Sequence, residues 1–433
     1  MSAKVVIKPR RAKPFWLGEP WVYDGSVERV KGTRDLADGD DVEVLDSEGR
    51  TIGFGFFNGR SRIRVRLVSG PDRPIDEALI IERLDRAVQL RVDRLRFDGE
   101  TDAYRLVHAE GDGLPGLVID RLGDYLVMQI DSLGMRRYRD AIVHRLARRL
   151  SPIGIFERVS HTAREQEGIE ALDGVAFGDA PHGPVAVVES DVRYLVDVRL
   201  GQKTGFYTDQ RENRLALARW SHGADFLDAF SYTGAFGLTA MVRGQAARVT
   251  AIDSSKPALE AAAANAVLNG ISVFEPVQAN VLRQLDHWRK EGRAFDVVSL
   301  DPPKLVPKAG DLMRGLKLYH EINVKGISTT KDGGILATSS CSQHVGEADF
   351  MRMIAAAAFE ARARLQLLHV GGQGADHPVL LPHEDSRYLK FLIFRVERDA
   401  VAEPAEPIWR REAKLEERPE PVEPKSEDDD PSR

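Results

Sequence analysis

The stretch DFLDAFSYTGAFG, residues 225–237, decides the fold. Its first half is an apolar run that ends on an acid, and its second half is a glycine-bearing turn that opens a helix, which is the order of a strand–turn–helix unit. Four similar runs follow, RVTAID (248–253), VFEPVQAN (273–280), FDVVSLD (295–301) and GGILATSS (333–340), each trailed by turn residues and a helical stretch. Strands alternating with helices predict βαβ units and a mainly parallel sheet covered on both faces. Ligands of such sheets sit at the carboxyl ends of the strands, so the candidate functional residues are those just after each run.

Taken in order, those residues are Asp228 with the turn Phe230, Ser231, Tyr232, Thr233 and Gly234, then Asp253, Asn280, Asp301-Pro302-Pro303-Lys304 and Cys341. A turn of this kind brings backbone amides close to a ligand, and Asp253, 25 residues after Asp228, is spaced to accept from ribose hydroxyls. A dinucleotide fold shares that pattern. The turn lacks the GxGxxG spacing that seats a pyrophosphate on a helix amino end, which favours a phosphate-free ligand such as S-adenosylmethionine. After Asp301, two prolines remove backbone donors and fix their own φ, giving a rigid wall against which a planar base can rest. Cys341 lies 40 residues after Asp301, so one intervening helix puts acid and thiol on neighbouring strands. A thiolate adding to C6 of a cytosine makes C5 nucleophilic, whereas methylation of an amine or ring nitrogen needs no covalent step. A buried packing role is the alternative for a lone cysteine. The polar neighbours Ser339, Ser340, Ser342 and Gln343 favour the reactive one, with His344 a candidate to lower the thiol pKa.

Toward the amino terminus the pattern changes. WVYDGSVERV (21–30), DDVEVLDSEGRTIGFGFF (40–57) and SRIRVRLVS (61–69) alternate as strands do, with turn chemistry at Asp46 to Gly49, and predict a small all-β unit ending near Arg73. Arg60, Arg62, Arg64 and Arg66 are spaced by two and on one strand would share a face, either a solvated one or a phosphate-contacting stripe. An amphipathic helix is expected over 75–95, a hairpin over 117–131 and a helix over 138–150, a second unit of α+β type.

The net charge of −6 is all tail: from Asp399 onward there are 12 acids and 6 bases, leaving 55 of each before it. That Pro- and Glu-rich segment is expected to stay disordered. A single cysteine precludes an intramolecular disulfide and is too few for a structural zinc site, and no metal is expected. The opening MSAKVVIKPRRAKPFW has no apolar stretch behind its bases, and no apolar run nears the roughly 18 residues that span a bilayer. A cytoplasmic protein is expected.

Four further stretches carry a family resemblance: Pro20 to Tyr23, Arg62 to Arg66, Tyr104 to Gly116 and Gly201 to Arg211. With the motifs above, the chain over roughly residues 4–398 resembles the class I large-subunit ribosomal RNA cytosine-C5 methyltransferases that carry an amino-terminal PUA domain. The resemblance implies a PUA-like RNA-binding domain over 1–73, an α+β middle domain over 74–190, a Rossmann-like α/β methyltransferase domain over 191–398 and a disordered acidic tail over 399–433. It further implies S-adenosylmethionine as cofactor and large-subunit ribosomal RNA as partner, with a homodimer left open. Tyr207 would stand near the methyl donor, Asp228 and the turn 230–234 would hold its methionine part, Asp253 its ribose and Asn280 its adenine. Asp301 would border the cofactor and hydrogen-bond the cytosine, with Cys341 as nucleophile; Lys304 joins the four arginines as a candidate RNA contact. Where some relatives place a second cysteine after the prolines, this chain has Lys304, so no base for the C5 proton is assigned. A purine-nitrogen methyltransferase and a non-catalytic ribosome-binding factor are the alternatives.

Overall fold

The computed structural model describes residues 3–398 apart from 98, 162, 171, 172, 200, 202 and 203. The acidic tail, and Gln202 and Lys203 of the 201–211 stretch, lie outside the described residues.

Alternation closes the first unit into one six-stranded sheet. Its strands are β1 (Ala3–Ile7), β2 (Trp21–Tyr23), β3 (Val27–Lys31), β4 (Asp41–Leu45), β5 (Thr51–Phe57) and β6 (Ile63–Ser69), in the order β2-β6-β5-β4-β1-β3. The β4–β5 turn forms where expected, because Asp46 Oδ1 accepts from the amides of Glu48 and Arg50, each at 2.9 Å. Val5, Ile7, Val22, Val42, Val44 and Val65 fill the core.

In the middle unit, α2 (Glu77–Gln89) is N-capped by Asp76, whose Oδ1 accepts from Leu79 N at 2.7 Å, and its apolar face lies on a five-stranded sheet. The helix expected over 75–95 thus closes at Gln89, and Leu90–Leu95 continue as a wider π turn. The sheet comprises β7 (Ala103–His108), β8 (Leu117–Leu122), β9 (Tyr125–Ile130), β10 (Gly154–Arg158) and β11 (Gly174–Gly178); β8 and β9 are the expected hairpin. A hairpin of β12 (Val185–Glu189) and β13 (Val192–Val196) then packs its valines between the middle sheet, at Ala103, Leu122 and Val127, and the last unit, at Leu238 and Ala266. The boundary drawn at 190/191 therefore falls inside that hairpin's turn, where Ser190 and Asp191 both have positive φ.

The last unit has seven strands, β14 (Asp225–Ala229), β15 (Arg248–Asp253), β16 (Phe274–Gln278), β17 (Phe295–Leu300), β18 (Thr330–Ser340), β19 (Arg364–Gly371) and β20 (Lys390–Glu397). Their order is β16-β15-β14-β17-β18-β20-β19, parallel except for β20. The crossovers carry α6 (Ala235–Val242), α7 (Lys256–Leu268), α8 (Val281–Glu291), α9 (Leu312–Thr329) and α10 (Glu347–Glu360), with α5 (Arg211–Ala218) preceding β14 and the short α1 (Lys13–Trp16), α3 (Leu133–Arg136) and α4 (Arg139–Leu150) lying in the earlier units. The order reverses between β14 and β17, and a ligand crevice opens outside the carboxyl ends at such a switch point. Among the described residues, no helix is long and apolar enough to cross a membrane and no cluster of His, Cys, Asp or Glu could hold a metal ion.

The four arginines do not form a common face. β6 begins at Ile63, so Arg60 and Arg62 lie in the loop before it, where both are exposed. Arg64 turns to Asp24, at 2.6 Å. Arg66 is turned inward, its side chain 12% exposed: it bridges Glu110 at 2.9 Å and Glu167 at 3.1 Å, and Glu110 also accepts from Trp21 Nε1 at 2.7 Å. This arginine joins the first unit to the second. The 104–116 stretch likewise ties the second unit to the third, through Asp376. Its Oδ2 accepts from Arg105 N at 2.8 Å, its backbone carbonyl from Arg91 at 2.7 Å, and its carboxylate pairs with Arg211 at 3.0 Å.

Candidate active site

The turn after β14 is held from below by Asp228, which is 1% exposed and whose Oδ2 accepts from Gly237 N of α6 at 2.9 Å. Burial, reinforced by the charges of Asp301 and Asp253, pushes this carboxyl up to about 8. Above it the backbone is left-handed at Phe230 (φ 62°), Tyr232 (φ 48°) and Gly234 (φ 80°). Two of these are not glycine, and each such residue costs on the order of 1–2 kcal/mol. Bonds to β15 hold the strain: Ser231 N donates to Ile252 O at 3.1 Å and Tyr232 N to Asp253 Oδ2 at 3.0 Å. At Gly234 a Cβ would stand 3.1 Å from Ala262 Cβ, too close without movement of α7. Strain of this kind gathers at ligand clamps.

Ser231 Oγ is buried and has no hydrogen-bond partner among the described residues, an arrangement that suits a polar ligand in the turn. Asp253 ends β15, half-buried, its other oxygen accepting from Ser255 N at 2.8 Å. The Tyr207 ring meets Tyr232 edge to face at 5.5 Å, and burial, then the charge of Asp301, raises its hydroxyl. Tyr207, Asp228, the 230–234 turn, Asp253 and Asp301 thus gather at one end of the sheet. Asn280 follows β16 at the same end of the sheet, next to Ala279, whose N donates to Asp253 O at 3.0 Å; it is exposed, and its Oδ1 also serves as the N-cap acceptor for Arg283 N of α8 at 3.1 Å.

Asp301 follows β17, whose Leu300 pairs with Thr338 of β18, so acid and thiol do end adjacent parallel strands. Two donors fix its Oδ1, the Ser339 hydroxyl and Gln210 Nε2 at 3.0 Å. Gln210 is itself oriented by Asn213 Nδ2, at 2.6 Å from its Oε1. Cys341, half-buried, is the first residue after β18. Its flanking serines are locked by Tyr319, which accepts from Ser340 Oγ at 3.0 Å and bonds Ser342 Oγ at 3.0 Å, while Ser342 Oγ accepts from Val306 N at 3.1 Å. The loops after β17 and β18 are therefore one stitched surface, closed on the outside by Lys304 Nζ donating to Gln343 Oε1 at 3.0 Å.

His344 is exposed, and the buried cation beside the Cys341 loop is instead Lys390, which donates to Ser342 O at 2.6 Å and Tyr388 O at 2.9 Å. Gln210, Asn213 and Lys390 were not among the candidates drawn from sequence. Lys390 had a readable signal, a lone charge in the otherwise apolar run from Leu389 to Phe394. Gln210 and Asn213 had only their i,i+3 spacing.

The seven-stranded sheet with this turn and this acid at its switch point, behind a six-stranded β unit, defines a class I S-adenosylmethionine-dependent methyltransferase with a PUA-like domain. Residues 5–70 match the family described as PUA-like domain, and residues 212–323 the family described as conserved hypothetical protein 95. The fold is shared with a Streptococcus mutans protein assigned as a SAM-dependent methyltransferase (TM-score 0.78, 20% identity, 91% of this chain and all of that one). It is shared as well with a protein assigned as a methyltransferase and solved in complex with SAH (TM-score 0.77, 20% identity, the same coverage). Ribosomal RNA large subunit methyltransferase I from Erwinia tasmaniensis is 36% identical over 399 residues, 92% of this chain and 100% of the relative. The Alteromonas mediterranea protein of that name is 37% identical over 402 residues, with 92% and 100% covered. The chain belongs to the ribosomal RNA large subunit methyltransferase I family.

Proposed function

We propose that this chain methylates C5 of a cytidine in large-subunit ribosomal RNA through a covalent adduct between Cys341 and C6 of the base. The observation that carries the proposal is the placement of Asp301 and Cys341 at the ends of adjacent strands, with Ser339 bonding Asp301 two residues before the thiol. A purine-nitrogen enzyme has no use for a thiol in that position.

When bound, S-adenosylmethionine supplies an electrophilic methyl group. Tyr207 and the left-handed turn would border it, with Ser231 Oγ offered to its polar end and Asp253 to its ribose. Cys341 Sγ, as thiolate, forms the bond to C6; the C5=C6 pair moves into the ring and leaves C5 nucleophilic. Asp301, fixed by Gln210 and Ser339, hydrogen-bonds the ring edge and relays a proton from solvent to N3 as Cys341 adds, so that no net negative charge is left on the ring. Once C5 has taken the methyl group, its proton passes to a base, C5=C6 re-forms, and Cys341 leaves as thiolate. A base stacked in a helix reaches neither group, so the target is single-stranded or looped out. Arg60, Arg62 and Lys304, all exposed, are the cations left to contact phosphate.

The test is transfer of labelled methyl to protein-free ribosomal RNA, followed by nucleoside analysis, for the natural chain and Cys341→Ala. We expect 5-methylcytidine from the former, and from the latter a rate below about a thousandth with cofactor binding retained. A methylated purine, or a Cys341→Ala enzyme that keeps most of its rate, overturns the proposal. Cofactor binding without transfer to any RNA also overturns it, in favour of a binding factor.

A further inference from the structure

The mechanism above leaves unused a buried charge beside the Cys341 loop. Lys390 opens β20 as the cross-strand partner of Ser340, the residue before Cys341, and is 5% exposed. A lysine this deep has to be held by polar partners. Two of its three N–H donors go to Ser342 O and Tyr388 O, and the first of these carbonyls belongs to the residue after Cys341. The loop bearing the thiol is therefore bracketed, with a β-ladder partner on one side of Cys341 and an ammonium contact on the other.

We propose that Lys390 is the positioning residue for Cys341, its buried ammonium holding the Cys341–Ser342 loop in place and stabilising the thiolate that attacks the base. The inference rests on the reading of Cys341 as nucleophile. In the step itself the thiol loses its proton to solvent, the electron pair stays on sulfur, and Lys390 remains protonated beside it. Burial lowers the ammonium to about 8, the charge of Cys341 opposes that fall, and Arg387, Lys304 and Glu347 are the other charged groups facing it. At neutral pH the cation is still mostly present where the thiolate needs it. Raising the pH past 8 discharges it, so the benefit belongs to neutral conditions.

Cys341 is the only cysteine in the chain, so the reaction of the whole protein with iodoacetamide reads this thiol alone. The alkylation rate would be followed between about pH 6 and 9 for the natural chain, Lys390→Met and Lys390→Arg, with Cys341→Ser as blank and thermal melting to show that each is folded. We expect a natural midpoint below the roughly 8.5 of an ordinary thiol. Lys390→Met should move it up by about one unit or more, slowing alkylation about tenfold at pH 7. Lys390→Arg, keeping the charge, should recover part of that loss. A folded Lys390→Met with an unmoved midpoint overturns the inference. So does a natural midpoint at or above the ordinary value, which needs no variant to fold. Methyl transfer by Cys341→Ala decides the separate question of the nucleophile: if that enzyme stays active, the thiol is tuned but unused, and the catalytic part of the inference falls with the parent reading.

Discussion

Gln210 donates its side-chain amide to Asp301 Oδ1 at 3.0 Å, tying the turn before α5 to the acid that ends β17. The two residues are 91 apart in sequence, and only the packing of α5 beside the sheet brings them together. A hydrogen bond to a charged group contributes roughly 1.5–3 kcal/mol, and here Ser339 retains part of the restraint on Asp301. Gln210→Ala should therefore lower the single-turnover rate of methyl transfer about tenfold with RNA affinity unchanged. Gln210→Glu, which sets a second carboxylate against Asp301, should lower it further. Equal losses in the two variants would mean that the amide serves the fold and not the acid.

Arg66 and Arg62 separate structure from RNA contact. Arg66 answers two carboxylates that are 9% and 4% exposed, and removing one partner of a buried ion pair typically costs about 3–5 kcal/mol. Arg66→Met should show that loss in denaturant unfolding. Arg62→Ala, in an exposed loop, should leave stability within about 0.5 kcal/mol and instead reduce the salt slope of RNA binding by about one. A large stability loss at Arg62, or none at Arg66, would reverse the assignment.

The contrast between these arginines also shows how far the sequence could be read. Parallel strands buried on both faces appear as near-continuous apolar runs, so β14, β15, β17 and β18 and the acid or thiol at their ends could be located directly. The adjacency of Asp301 and Cys341 followed from spacing, because one helix crossing over leads to a neighbouring parallel strand. Alternation by two gives a residue's face but not what covers that face, and the partners of Arg66 are 44 and 101 residues away. Asn280 could be placed at the end of β16, but its local use could not be read: an amide before a helix also caps it, and its Oδ1 accepts from Arg283 N. Lys390 shows in the sequence as a lone charge in an apolar run, but its neighbour does not, because that depends on an antiparallel strand folding back beside β18.

Asp376 is the point where the middle and last domains lock. Burial alone would raise its carboxyl, yet His377 and Arg211 together hold it well below the usual carboxylate range. A depressed acid contributes stability above its unfolded value of about 4 and loses it as pH falls through the folded one. Asp376→Asn, which leaves Arg211 facing a neutral amide, should cost about 3–5 kcal/mol near neutral pH. Its stability should also fall less than the natural chain's on acidification below about pH 4. Chemical unfolding at two pH values checks both, and parallel acid profiles would show that other carboxylates dominate.

Asp228 gives the opposite sign. Its carboxyl is raised to about 8 by burial, so between the unfolded value and that figure the folded chain holds a proton that the unfolded chain has released. Stability is then greatest in acid, and it falls as pH rises from about 4 to 8, at up to about 1.4 kcal/mol per unit for this one group. Asp228→Asn removes the titration and keeps an oxygen for Gly237 N, so the cofactor-free variant should lack this decline and gain on the natural chain steadily across the interval. If Asp228 holds the methionine end of the cofactor as proposed, the same change removes the charge offered there, and cofactor affinity should drop about tenfold at pH 8. Thermal melting across the pH range and isothermal titration with S-adenosylhomocysteine test the two halves independently. A decline of equal slope in both proteins would mean that Asp228 is ionised in the folded state, and the site would then carry its negative charge before any ligand arrives.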